Sequence, residues 1–228
     1  MGDLDGREGE ATRGRRPSTT REHIAREALT LFDRDGFEAT TVDDIAAAVG
    51  IGRRTFFRYY QSKLDVVWGE FHAELVRLDE QLIGAPEEEP MMDVLRRSVV
   101  ATNRFGAGEL DELRIRMALI STVPPLVAHS ALRYAEWCDV VAGFAARRMG
   151  VAAGDLGPQT VARAALGAAM AAFTCWARGD TDDLSAEVDR SFRLLASGFD
   201  DAAVAGWRPS VTDPTGSTRG RDRRDAGG

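Results

Sequence analysis

The chain has 228 residues, 44% of them hydrophobic, with a formal net charge of −7. That length suggests one large or two modest domains, and that apolar share is enough for a real core. An acidic total excludes a protein that coats nucleic acid indiscriminately, but the charge is unevenly placed: residues 13–63 hold ten Lys/Arg against seven Asp/Glu, leaving this segment at +3 and the remainder at −10. Such asymmetry suggests a module facing a polyanion, tied to an acidic one.

The first 17 residues lack periodicity and contain the basic run Arg13-Gly14-Arg15-Arg16. They carry no apolar stretch of the kind a secretory signal needs. They are expected to form a flexible arm whose Arg13, Arg15 and Arg16 enter a minor groove beside the main contact, where narrow A·T-rich geometry attracts arginine.

From residue 18 the pattern is helical. Helix 1 shows Ile24, Ala28, Leu31 and Phe32 on one face and stops near Gly36. Three Ser/Thr-x-x-acid boxes punctuate this region, at Thr19–Glu22, Thr41–Asp44 and Ser62–Asp65, each placing a capping oxygen and a favourable charge at a helix start. The second helix carries Val42, Ile45, Ala46 and Val49 on one side, and Gly50 ends it. A third begins by Arg53. Two short helices joined by a tight turn with an inward Ile51 make a helix-turn-helix.

On a helical wheel the third helix turns Phe56 and Tyr60 inward and Arg54, Thr55 and Arg58 outward, with Phe57 and Tyr59 flanking. Arg53 falls nearer the inner side, yet its long side chain can swing out from the helix mouth. Arginines at a helix start oppose the helix dipole. They make sense if that end enters a groove: Arg pairs bidentately with guanine, Thr serves either base type, and an apolar ring meets a thymine methyl. Tyr59, Lys63 and Thr41 are placed for phosphates, Thr41 with the free N–H groups of the second helix. The expected DNA-contacting set is therefore Arg13, Arg15, Arg16, Thr41, Arg53, Arg54, Thr55, Phe57, Arg58, Tyr59 and Lys63.

The string VDDIAAAVGIGRRTFFRYYQSK after Thr41, with LFDRDGFEATT (31–41) before it, resembles the DNA-binding domain of TetR-family transcriptional regulators. The matching positions are Thr41, Ile45-Ala46, Val49-Gly50-Ile51, Thr55, Phe56, Phe57, Tyr59, Tyr60 and Lys63. Two positions depart from the family pattern. Arg54 stands where a small residue is usual, which suggests a more G-containing operator, and Phe57 stands where tyrosine is usual, which removes a phenol. GRRTFFRYY, with GRRP (14–17) and VVWGEF (66–71), is similar to the mycofactocin-system regulators, a subgroup of that family. The resemblance implies a cytoplasmic homodimer that acts as a repressor on a double-stranded palindromic operator, with a small apolar or long-chain acyl-CoA effector.

Beyond the reading module, helix 4 is expected from Lys63 to Ile83 as one piece. After GAPEEEP (84–90), helices are expected near 91–105, 110–121, 125–149, 158–178 and 183–206. The fold class is thus all-α: a basic arm (1–17), a three-helix DNA-binding domain with helix-turn-helix (18–66), a helical ligand-binding and dimerisation domain (67–207), and a polar, Gly-rich tail (208–228) expected to be disordered. Small residues along 158–178 and the stripe Leu184, Val188, Phe192, Leu195 and Phe199 suit a four-helix bundle across a two-fold axis. Met and aromatic residues in the middle are candidates for lining an apolar effector pocket: Phe105, Met117, Ile120, Trp137, Phe144, Met170, Phe173 and Trp176.

No catalytic pattern emerges from the sequence. His23, His72 and His129 are isolated from one another, no Gly-rich phosphate loop or G-x-S-x-G is present, and Asp43-Asp44 is read as a capping pair. Neither an enzyme, a cofactor nor a metal is expected. The two cysteines, Cys138 and Cys175, read as reduced thiols in apolar surroundings. The apolar run 164–177 is shorter than the ~20 residues of a membrane span. The alternative function is a dimeric helical adaptor whose helix-turn-helix binds protein instead of DNA.

Overall fold

The computed structural model describes residues 19–179 and 181–198. The expected arm with Arg13, Arg15 and Arg16, the tail and Phe199 lie outside the described residues. Every regular element among the described residues is helical. The chain divides into two compact units, with the boundary between Gly69 and Glu70.

The first unit holds α1 (Arg21–Asp35), α2 (Val42–Val49), α3 (Arg53–Tyr59) and α4 (Lys63–Trp68). Ile24, Ala28, Leu31 and Phe32 of α1 are buried as their spacing predicts. They pack with Ile45 and Ala46 of α2, Phe56 of α3 and Val66 and Val67 of α4. Thr41 and Asp44 form a complete capping box: the Asp44 N–H donates to Thr41 Oγ1 at 3.2 Å and the Thr41 N–H donates to Asp44 Oδ2 at 2.8 Å. Those hydrogen bonds to Thr41 hold the Asp44 carboxyl below its ordinary pKa. Ser62 caps α4 by accepting from the Asp65 N–H at 3.3 Å. At α1 the cap is Thr20, one residue later than expected, and it accepts from the His23 N–H. Adjacent threonines made either register possible.

The turn between α2 and α3 needs its glycine. Gly50 has φ 73 and ψ 31, a left-handed conformation that costs a side-chain-bearing residue. The following Ile51 N–H returns to the Ala46 carbonyl at 2.9 Å. This tight reversal leaves α3 to start just after Gly52, which offers no side-chain cap.

The single helix expected over 63–83 is two helices. α4 ends at Trp68, Gly69 takes φ 55 and ψ −123, and α5 runs over Phe71–Ile83. The apolar period continues across the break, so only the glycine signals it.

The second unit continues with α6 (Met91–Thr102), α7 (Ala107–Thr122), α8 (Pro124–Met149), α9 (Leu156–Ala177) and α10 (Leu184–Ala196). α9 packs between α8 and α10, and α10 also packs on α6. Ala162, Ala165, Ala169 and Ala172 form the buried stripe of α9, where small side chains permit close approach. Leu184, Val188 and Phe192 answer from α10. With Leu78, Leu82, Val94, Leu95, Phe144 and Trp176 they make one core.

α9 extends N-terminally beyond the apolar run, so at 22 residues it is long and apolar enough by composition to cross a bilayer. Its stripe is nonetheless spent on α8 and α10. Cys138 is buried with its thiol pushed up by that burial, and Cys175 is half-buried; both are free thiols.

A single guanidinium organises the acidic break between α5 and α6. Arg148 donates from Nη2 to the Pro86 carbonyl at 2.6 Å, and from Nη1 to those of Glu87 and Glu89 at 2.6 and 2.9 Å.

Candidate nucleic-acid interface

α3 is anchored from behind. Phe56 is fully buried and Tyr60 nearly so, and the Tyr60 phenol donates to the Arg21 carbonyl at 2.9 Å. The Arg21 guanidinium lies over the Tyr60 ring at 4.4 Å and donates to the Tyr59 carbonyl. The C-terminal end of the short helix is thereby fixed to α1, which a seven-residue helix needs, since helices of that length have no stability of their own.

With that anchor in place, the outward face carries Arg54, Phe57 and Arg58 exposed, with Thr55 half-buried among them. Arg54 has no hydrogen-bond or ion-pair partner among the described residues. Arg58 lies along the Tyr59 ring at 5.3 Å. Phe57 stands edge-on to Phe56 with centroids 5.4 Å apart, which props it outward, 43% exposed. Arg53 is exposed as well and hydrogen-bonds Asp43 of α2, Nη1 to Oδ2 at 2.8 Å.

Three residues expected at phosphates have internal partners. The Tyr59 phenol donates to the Thr19 carbonyl at 2.7 Å. The Thr41 hydroxyl donates to Asp44 Oδ2 at 2.6 Å while capping α2. Lys63 donates to the carbonyls of Phe37 and Thr40 at 2.6 and 2.8 Å and lies over the Phe37 ring. Two of its three N–H donors thus hold the α1–α2 connection against the start of α4. The Tyr59 and Lys63 contacts are not legible in sequence, because their partners are 23 to 40 positions away.

The expected effector-lining residues fall into two groups in the second unit. Phe144 and Trp176 are fully buried, and Met117 and Ile120 nearly so. Phe105, Trp137, Met170 and Phe173 are half-buried against the same core. Arg114 covers the Trp176 ring at 4.3 Å and donates to the Trp176 carbonyl at 2.8 Å. Arg96 is paired with Asp189, and Arg97 with Glu89.

A helix-turn-helix that projects arginine, hydroxyl and aromatic side chains from a rigidly held second helix defines a DNA-binding protein. Comparison with known proteins gives the class a family. Residues 24–67 match the model of the bacterial regulatory proteins of the tetR family, and residues 89–200 match that of the MftR C-terminal domain. A Mycobacterium tuberculosis protein described as a candidate mycofactocin biosynthesis transcriptional regulator, MftR, is 41% identical over 187 residues, 82% of this chain and 94% of its own. The HTH-type transcriptional regulator TcmR of Streptomyces glaucescens is 33% identical over 153 residues, 63% of this chain and 66% of that protein. Among solved structures, Thermus thermophilus FadR, a TetR-family repressor in complex with lauroyl-CoA, aligns with a TM-score of 0.52 at 27% identity, covering 78% of this chain and 94% of its own. The chain belongs to the TetR family of transcriptional regulators, with a C-terminal domain of the MftR type.

Proposed function

We propose that the protein is a ligand-responsive repressor that binds a palindromic operator as a homodimer and leaves it when an apolar or acyl-CoA-like effector binds the second unit. The observation that carries the DNA-reading half is the outward pair Arg54 and Arg58 beside the buried anchors Phe56 and Tyr60. A helix fixed in this way has its polar face available for base edges. Two heads are needed to read two half-sites, which favours a dimer, and the outer faces of α9 and α10 are the candidate surfaces for its four-helix junction. The effector class is supported by the lauroyl-CoA held by the FadR relative.

Effector entry would involve Phe105, Trp137, Met170 and Phe173, which keep some exposed surface, more readily than Phe144 and Trp176, which would have to leave the core. An effector acts by binding better to the conformer whose heads do not fit DNA, so repression is relieved by a shift of population. Footprinting of DNA upstream of the protein's own gene, followed by binding at several salt concentrations, tests the reading. A protected palindrome with salt-sensitive affinity is expected. Binding without preference for any palindrome would overturn it and leave the protein-binding adaptor as the reading. Mass spectrometry of ligand carried through purification tests the effector class.

A further inference from the structure

Asp43 does more than favour the start of α2. We infer that Asp43 is a positioning residue that converts Arg53 from a phosphate binder into a base reader, and so sets operator specificity; this rests on the DNA-binding reading above.

The geometry is a stack of four groups. Phe56 is buried in the core, Phe57 stands edge-on to it, the Arg53 guanidinium lies 5.4 Å from the Phe57 ring centroid, and Asp43 Oδ2 accepts from Arg53 Nη1 at 2.8 Å. Asp43 comes from α2 and Arg53 from α3, so the pair bridges the two helices of the motif across the Gly50 turn. Its two side chains are 57% and 65% exposed, and an ion pair so open to water contributes little to stability. Its effect lies elsewhere. A free arginine at the mouth of a reading helix is a flexible cation that takes whichever phosphate is nearest. Arg53 is restrained by a carboxylate and an aromatic face, and only one of its five N–H donors is used by the bond to Asp43. The remaining donors lie in a fixed plane, which suits the O6 and N7 acceptors of guanine and lowers the ordering cost on binding.

The carboxylate acts on charge as well. It neutralises the guanidinium locally, which weakens its pull on the phosphate backbone of any sequence. It also repels a phosphate brought close to the same spot. Both effects lower non-specific binding while leaving the hydrogen-bonding edge intact, and discrimination is the difference of the two affinities.

The experiment selects a randomised duplex pool with full-length wild-type protein, D43N, R53A, D43N/R53A and D43E, and measures affinity for the selected wild-type sequence and for an unrelated duplex at one salt concentration. In D43N, preference at one base-pair position per half-site is expected to relax about 5-fold or more, while affinity for the unrelated duplex holds or rises. R53A should relax the same position, the double variant should add nothing to R53A, and D43E should retain most of the preference. Helix content and dimerisation, checked by circular dichroism and sedimentation, should match wild type. An unchanged preference in D43N overturns the inference. So does an equal loss on both duplexes, or a further relaxation when D43N is added to R53A. A wild-type protein that selects no sequence overturns the DNA-binding reading itself.

Discussion

The two units use arginine in opposite ways. In the second unit guanidinium groups serve as ties between elements: Arg96 to Asp189, Arg97 to Glu89, Arg114 to the Trp176 carbonyl, and Arg148 to three carbonyls of one loop. In the reading helix of the first unit, Arg54 and Arg58 face outward without an ionic partner among the described residues. The cause is charge balance. The chain outside residues 13–63 carries −10, so carboxylate partners are plentiful there, whereas the reading segment is at +3. Arginine therefore marks structure in one unit and a polyanion partner in the other, and the same residue type must be read against its local balance.

The contrast breaks first, and with the largest effect, if the outward arginines prove dispensable. Replacing Arg54 and Arg58 together by alanine is expected to weaken operator binding by at least about 100-fold, since each such contact is worth about 1–3 kcal/mol. Fluorescence anisotropy on a labelled operator measures this, with helicity and dimerisation expected to be unchanged. Tight binding by the double variant would remove these residues from the reading face.

Lys63 sharpens the contrast, because it is a cation of the first unit turned inward. Lys63→Met loses two charge-assisted hydrogen bonds and is expected to cost about 2 kcal/mol of stability, visible as a lower melting temperature. If Lys63 instead serves chiefly as a phosphate contact, the variant will melt as wild type does and the salt dependence of binding will flatten by about one charge.

The smallest expected effect concerns a carboxylate of the second unit. Burial raises the Glu74 pKa, opposed by the charges of Arg77 and Arg116. The folded state thus holds the proton more tightly than the unfolded chain does. The contribution of Glu74 to stability is present below its unfolded pKa and is lost as pH rises through the raised folded value. Glu74→Gln is expected to stabilise the protein relative to wild type at pH 8 by more than at pH 5, with a difference under about 1 kcal/mol, read from denaturant unfolding at the two pH values. An identical shift at both values would show that the carboxyl titrates alike in both states.

Much of this is legible in the sequence itself. Periodicity located the helices, the Thr41–Asp44 box fixed the start of α2, and the alternation of Phe56 and Tyr60 with Arg54 and Arg58 separated inner from outer faces, because each signal is local. What escaped depended on distant chain. The inward roles of Lys63 and Tyr59 come from carbonyls of Phe37, Thr40 and Thr19, and the Asp43–Arg53 pair forms only once the Gly50 turn has brought α2 beside α3. The break at Gly69 was hidden for a different reason: periodic apolar residues continue through it, and backbone conformation at a single glycine leaves no trace in a hydrophobic pattern.

The Arg148 tie has a consequence for the order of events as the chain folds. The donor lies 59 to 62 positions beyond the carbonyls it satisfies. Closing so long a loop is entropically costly until the helices between have formed. The α5–α6 connection is therefore expected to keep its carbonyls in water until the last turns of α8 dock beside it. That acidic segment is expected to assemble late, although it precedes α8 in the sequence, and local opening at the end of α8 is expected to release it again.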